Sequence, residues 1–150
     1  MNNYARGAPR NYGGSYDPDK PGQDAPAPFH LEEKIDEMLA YGMPLVDNFP
    51  RRRRRLADDL RGFMLDMEIL VVALRLKYTK KTTVENLDVT LAQLKKFVIL
   101  AADKEYNGEK YAPPLTRHQR ETWNKLNDEI GRMIGGYKNA VAGGRVGKKE

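Results

Sequence analysis

The sequence contains no cysteine. That excludes disulfides, thiolate metal sites and cysteine nucleophiles together, and it fits a reducing compartment. Histidines number two, His30 and His118. They lie in different segments and form no H-x-x-x-H pair, so a zinc site would have to rest on carboxylates. The Glu-x-x-His pattern of di-iron bundles is missing, as are a P-loop, a dinucleotide fingerprint and a nucleophile elbow. No metal, no cofactor and no catalytic activity of its own are therefore expected. Long apolar runs are lacking too: none is longer than Ile69 to Leu74, which is far too short to span a bilayer. The N-terminal stretch is polar and carries no apolar h-region. The expectation is a soluble, cytoplasmic protein.

What is present is charge. Over 150 residues, 26 Lys plus Arg stand against 21 Asp plus Glu, a net +5. A basic balance makes an acidic partner plausible, nucleic acid being the commonest, but an excess of this size means little until its position is known. Residues 1–28 differ from the rest. They hold five of the nine prolines, four glycines and three tyrosines, with no Ile, Leu, Val or Phe. Such a stretch cannot bury enough surface to offset its chain entropy and reads as a disordered tail. It is either a passive extension or a Tyr/Arg-bearing arm that touches nucleic acid.

From Phe29 the apolar spacing becomes helical. Leu31, Ile35, Met38, Gly42, Leu45 and Phe49 share one stripe, Pro44 predicts a kink, and Phe49-Pro50 predicts the end of the helix. Glu32, Glu33, Asp36 and Glu37 fall in its first turns, where they would complement the helix dipole. A second segment, from about Arg52 to Lys77, carries Leu56, Leu60, Phe63, Met67, Leu70 or Val71, and Leu74. Leu65, Ile69, Val72 and Leu76 lie roughly 180° away on the same helix. That extra stripe implies either a deeply buried central helix or a subunit interface. A third segment opens at Thr82-Thr83-Val84 with Leu87, Leu91, Leu94, Val98 and Ala101 inward, while Val89 and Leu100 face the other way. Asn107-Gly108 and Pro113-Pro114 end it.

The fourth segment opens on Thr116-Arg-His-Gln119, a capping box, and continues through Trp123, Leu126, Ile130, Met133 or Ile134, and Tyr137. Trp123 reads as core and His118 as a surface or cap residue. Gly131 and Gly135-Gly136 imply either close approach by a neighbouring helix or phosphate backbone, or fraying. The chain thus reads as an all-α, antiparallel up-down-up-down four-helix bundle over residues 29–142. A disordered tail (1–28) precedes it and a basic, frayed C-terminus (143–150) follows.

Arg51, Arg52, Arg53, Arg54 and Arg55 resist a bland account. Adjacent arginines repel, and at the start of a helix they oppose the dipole. Five successive helical positions would form a collar around the axis, and the guanidinium fork suits phosphate. Alternatively the run is merely solvated, neutralised by Asp58, Asp59 and the acids of the first helix. Arg75, Lys77, Lys80 and Lys81 form a second basic group roughly 35 to 40 Å away at the far end of the helix. Lys95 and Lys96 lie on the third helix, and Arg117, Arg120 and Arg132 on the fourth.

Three stretches together resemble the accessory variability determinant (Avd) proteins of diversity-generating retroelements. The first is Tyr41-Gly-Met-Pro44 with Phe49-Pro50-Arg51-Arg52. The second is Glu68-Ile-Leu-Val-Val-Ala73. The third is Leu115-Thr116-x-His118-Gln119-x-Glu121-Thr122 followed by Glu129-Ile130-Gly131-Arg132-x-Ile134-Gly135. The resemblance spans roughly Leu31 to Ala140. It implies a four-helix bundle that assembles as a homopentamer with a positive surface. Such a protein binds a reverse transcriptase and RNA or DNA, and supports adenine-targeted mutagenic retrohoming. Leu65, Ile69, Val72 and Leu76 would then pack between subunits, and the basic residues would repeat around a ring. The alternative is a structural bundle of the ribosomal intervening-sequence (S23) type with no reverse-transcriptase partner.

Overall fold

The computed structural model of the protein describes residues 28–76 and 80–142. They form α1 (Pro28–Asp47), a 3-10 turn (Arg51–Arg53), α2 (Arg54–Leu76), α3 (Lys81–Ala102), α4 (Lys104–Asn107) and α5 (Arg117–Ala142). The described residues include no strand, so the all-helical expectation holds. No helix among them is long and apolar enough to cross a membrane. Of the expected N-terminal tail only Pro28 is described, and it opens α1; the expected frayed C-terminus lies outside the described residues.

Each long helix packs on two others: α1 on α2 and α5, and α3 on α2 and α5. Ion pairs report which ends meet. Glu32, early in α1, holds Arg75 near the end of α2 at 2.9 Å, and Asp47 at the end of α1 holds Arg61 of α2 at 3.1 Å. Asp88 early in α3 meets Lys138 late in α5 at 2.9 Å. Lys34 of α1 meets Glu129 of α5 at 2.8 Å.

The apolar stripes converge on one core in which Ile35, Met38, Leu60, Met64, Met67, Leu87, Leu94 and Trp123 have no exposed surface. Trp123 crosses to α1, where its Nε1 donates to Met38 Sδ at 3.3 Å. Gly42 makes room for the ring: a Cβ there would stand 2.7 Å from Trp123 Cε2 and 2.9 Å from Met64 Sδ. Phe63 and Phe97 meet edge to face at 5.0 Å between centroids, joining α2 to α3.

The boundaries differ from the sequence expectation in three places. First, α1 ends early, although it continues through Pro44 as the stripe expects, with the proline on its exposed face. The carbonyl it deprives of a donor belongs to Ala40, which is also exposed and can be solvated. The helix ends at Asp47, two residues before Phe49, and the amides of Asn48 and Phe49 close the last turn onto Leu45 O and Val46 O. Second, because α1 begins at Pro28, its first turn holds no acid. Glu32 to Glu37 are too far along to serve the dipole, and Glu32 instead pairs across helices with Arg75.

Third, the α3 to α5 connection holds an unexpected short helix. Asp103 caps α4, accepting from the Glu105 amide at 3.2 Å, and Gly108, at φ 83°, ends it in a backbone conformation that suits glycine. Asn107 is buried and donates through Nδ2 to Leu100 O at 3.0 Å and Asp103 O at 2.8 Å, so it closes the end of α3. The capping box at the start of α5 is present in both directions: Thr116 Oγ1 accepts from the Gln119 amide and Gln119 Oε1 accepts from the Thr116 amide, each at 3.0 Å.

Candidate nucleic-acid and partner interface

Pro50 sets the geometry of the arginine run. It is extended at φ −71° and ψ 156°, and its carbonyl accepts from the Arg53 amide at 2.9 Å. Arg51–Arg53 therefore form a 3-10 turn, and only Arg54 and Arg55 stand in α2. The run is thus no five-residue helical collar: the i→i+3 turn that follows proline breaks it before the α-helix begins.

Two of the five, the half-buried Arg53 and the exposed Arg52, reach the α3 to α5 connection. Arg53 Nε donates to Asn107 Oδ1 at 2.7 Å, and its Cζ lies 5.5 Å from the centroid of Tyr106. Arg52 Nη2 donates to Ala112 O at 3.2 Å, and its Cζ lies 3.9 Å from the centroid of Tyr111. Arg55 pairs with Asp59 at 2.9 Å, one helical turn on, from a highly exposed position where such a pair adds little stability. Arg51 and Arg54 are exposed, and among the described residues their side chains make no hydrogen bond or ion pair. The run is therefore partly structural and partly open.

The remaining cations divide the same way. Arg75 is held by Glu32, Lys95 by Asp128 at 2.6 Å, and Arg117 and Arg120 both reach Glu121, at 3.1 and 3.6 Å. Lys80 Nζ donates to Leu74 O, where it serves the unsatisfied end of α2, and burial pushes its pKa down. Lys81, Lys96 and Arg132 are exposed and make no ion pair with a described residue. Lys77 lies outside the described residues. The structure brings Arg51 to Arg55 together with the connection that leads into Arg117 and Arg120. It leaves Arg75, Lys80 and Lys81 at the opposite end of α2, about 35 Å away.

The second apolar stripe of α2 is on the surface. Leu65 is 49 % exposed, Ile69 66 % and Leu76 73 %, with Val72 partly buried. A deeply buried central α2 is thereby excluded, and this face contributes nothing to the core of its own chain. On α3, Val89 is exposed as expected, but its outward companion is Ile99, while Leu100 is half-buried.

A carboxylate cluster escaped the sequence reading. Glu68, half-buried on α2, is pushed up to about 8, first by burial, then by its hydrogen bond to Asp36 and the charges of Asp36 and Glu32. At neutral pH Glu68 thus favours its protonated form, which can donate to Asp36. Glu68 falls next to the outward Ile69, and the sequence carries no sign that α1 presents two acids to it. Among the described residues no three His, Cys, Asp or Glu side chains gather so as to hold a metal ion.

The pattern of the bAvd-like family matches residues 29–141, which takes in every long helix and the arginine run. No curated protein matches the chain.

Proposed function

The chain belongs to the bAvd-like family, and from that premise we propose that it is a non-catalytic accessory subunit of a diversity-generating retroelement, binding a reverse transcriptase together with RNA or DNA. The observation that carries this reading is the family match over residues 29–141. Two features of the surface support it. Arg51 and Arg54 are exposed and free of ion pairs among the described residues, so they can meet phosphate without giving up an internal partner. Leu65, Ile69 and Leu76 form an exposed apolar face of the kind that subunit packing covers.

In this reading the four long helices form an antiparallel up-down-up-down bundle. Five copies associate through the Leu65, Ile69, Val72 and Leu76 face, and each contributes its basic end to a ring. Multivalency then makes up for the modest charge of a single chain. The protein acts in the cytoplasm, needs no cofactor and leaves the chemistry of copying to its partner.

The scaffold alternative also has an observation in its favour: Arg52, Arg53, Arg55, Arg75, Lys95 and Arg117 are engaged within the chain. Affinity for a labelled RNA, measured across a salt series, separates the two. The accessory-subunit reading expects log affinity to fall linearly with log salt, and the slope to flatten when Arg51 and Arg54 become Gln. It also expects co-purification with a reverse transcriptase encoded beside it. A chain that binds neither nucleic acid at low salt nor that enzyme is the scaffold.

A further inference from the structure

Tyr106 and Tyr111 are 47 % and 46 % exposed, whereas Trp123 and Tyr137 are buried in the core. Both open tyrosines lie on the α3 to α5 connection, and each carries an arginine of the 51–55 run over its ring, Arg53 at Tyr106 and Arg52 at Tyr111. An arginine run that served only solubility would leave its guanidinium groups in water. Here two are fixed by hydrogen bonds, Arg52 to Ala112 O and Arg53 to Asn107 Oδ1, and Asn107 is itself buried and saturated. Because Arg52 and Arg53 are neighbours in one 3-10 turn, both Arg–Tyr pairs lie at the same end of α2, against one connection.

A fixed, half-open aromatic ring backed by a guanidinium plane suits one class of ligand. Unpaired bases stack on aromatic faces and on arginine planes, and the interaction tolerates any base because each has a π-face. A duplex hides those faces inside its own stack. The platform is preorganised, so little side-chain freedom is lost on binding. Arg51 and Arg54 flank it with no internal ion pair, and Lys110 Nζ lies 5.5 Å from the Tyr111 ring. Glu105 and Glu109 are exposed on the same connection and offset part of this charge. Stacking must therefore supply much of the selectivity.

We propose that this end of the molecule is a platform for single-stranded nucleic acid, on which bases stack against Tyr106 and Tyr111 while phosphates meet Arg51 and Arg54. The proposal rests on the nucleic-acid reading above and adds the form of nucleic acid and the side chains that select it.

Fluorescence anisotropy on the full chain tests it, with a labelled oligouridylate of about 12 nucleotides and an RNA duplex of the same length at matched salt. The unchanged protein should bind the single strand at least about tenfold more tightly than the duplex. Replacing both tyrosines by Leu should cost about tenfold or more on the single strand. The salt slope should stay unchanged, and the double Phe variant should bind like the parent. Arg51→Gln with Arg54→Gln should instead lower the slope by about 1 to 2.

Equal affinity of the parent for single strand and duplex overturns the platform, as does parent-like binding by the Leu pair, and the electrostatic reading survives both. Failure to bind either probe at low salt overturns the nucleic-acid reading and the platform with it. If the Leu pair loses its helical circular dichroism, the strand preference of the parent and the Phe pair decides alone.

Discussion

Gly42 lies against the indole of Trp123, so closely that a Cβ on residue 42 would stand 2.7 Å from Trp123 Cε2. Two helices from opposite ends of the sequence meet there, and both sides are buried. Gly42→Ala should therefore destabilise the protein by about 1 to 3 kcal/mol, the usual cost of overpacking a filled core, despite alanine's better helix propensity. Gly62 on α2 is the control: a Cβ there meets nothing within 4 Å. Gly62→Ala should stabilise by about 0.5 to 1 kcal/mol. Urea unfolding of both variants checks the pair, and a neutral Gly42→Ala would show that the Trp123 ring can slide away.

How much of this was legible in the sequence depends on the range of the interaction. The capping box of Thr116 and Gln119 spans four residues, so spacing alone carries it. The apolar stripes were equally plain because helical period maps sequence onto face, although Val46 and Met64 turned out to be core where Leu45 and Phe63 are half-buried. Long-range partners left no local trace. Arg53 and Asn107 are 54 residues apart, and nothing near Asn107 marks it as a bonding partner for an arginine. Proline was legible only in part: α1 continues through Pro44 as expected, but that the freed carbonyl faces water depends on a face only the fold assigns.

Thr116 closes the start of α5 through Oγ1, at an exposed position where the side chain makes no other hydrogen bond to a described residue. Thr116→Ala should cost about 0.5 to 2 kcal/mol, and Thr116→Ser should recover most of it. Thermal melts of the two variants settle the point, since an equal loss in both would assign the effect to the β-branch instead of the hydroxyl.

Glu68 gives stability a pH dependence of known sign. Its pKa is raised from the usual 4.5 to about 8 by burial and by the neighbouring Asp36 and Glu32, whose own charge is partly answered by Arg75. A carboxyl that binds its proton more tightly when folded stabilises fully below its unfolded pKa and loses that contribution as pH rises through its folded one. The melting temperature should therefore decline between about pH 5 and 9, and Glu68→Gln, which keeps the neutral shape, should flatten the decline. An identical slope in the Gln variant would move the effect elsewhere.

Leu65 and Ile69 separate assembly from folding. Each is about half exposed or more on a face that its own core does not use, so Leu65→Asp and Ile69→Asp should change subunit stability by no more than about 0.5 kcal/mol. An assembly that buries these side chains would meet two unpaired carboxylates per subunit and should dissociate. Light scattering reads the mass and circular dichroism the fold. Loss of both together would place the stripe in the core after all.

Arg53 and Arg51 carry the same charge two residues apart and should behave differently when it is removed. Arg53 satisfies Asn107 Oδ1 at 2.7 Å, and Asn107 is buried with its amide already committed to Leu100 O and Asp103 O. Arg53→Ala strands that oxygen, at about 1 to 3 kcal/mol, and loosens α4 and the segment leading into α5. Arg51 has no such partner among the described residues, so Arg51→Ala relieves repulsion within the run and should leave stability unchanged or slightly higher. Chemical denaturation of the two variants compares them at equal net charge, which removes long-range electrostatics from the difference. Equal stabilities would mean that Asn107 finds water as readily as it found Arg53. The run would then be a solvated surface throughout, with no structural member to position the others.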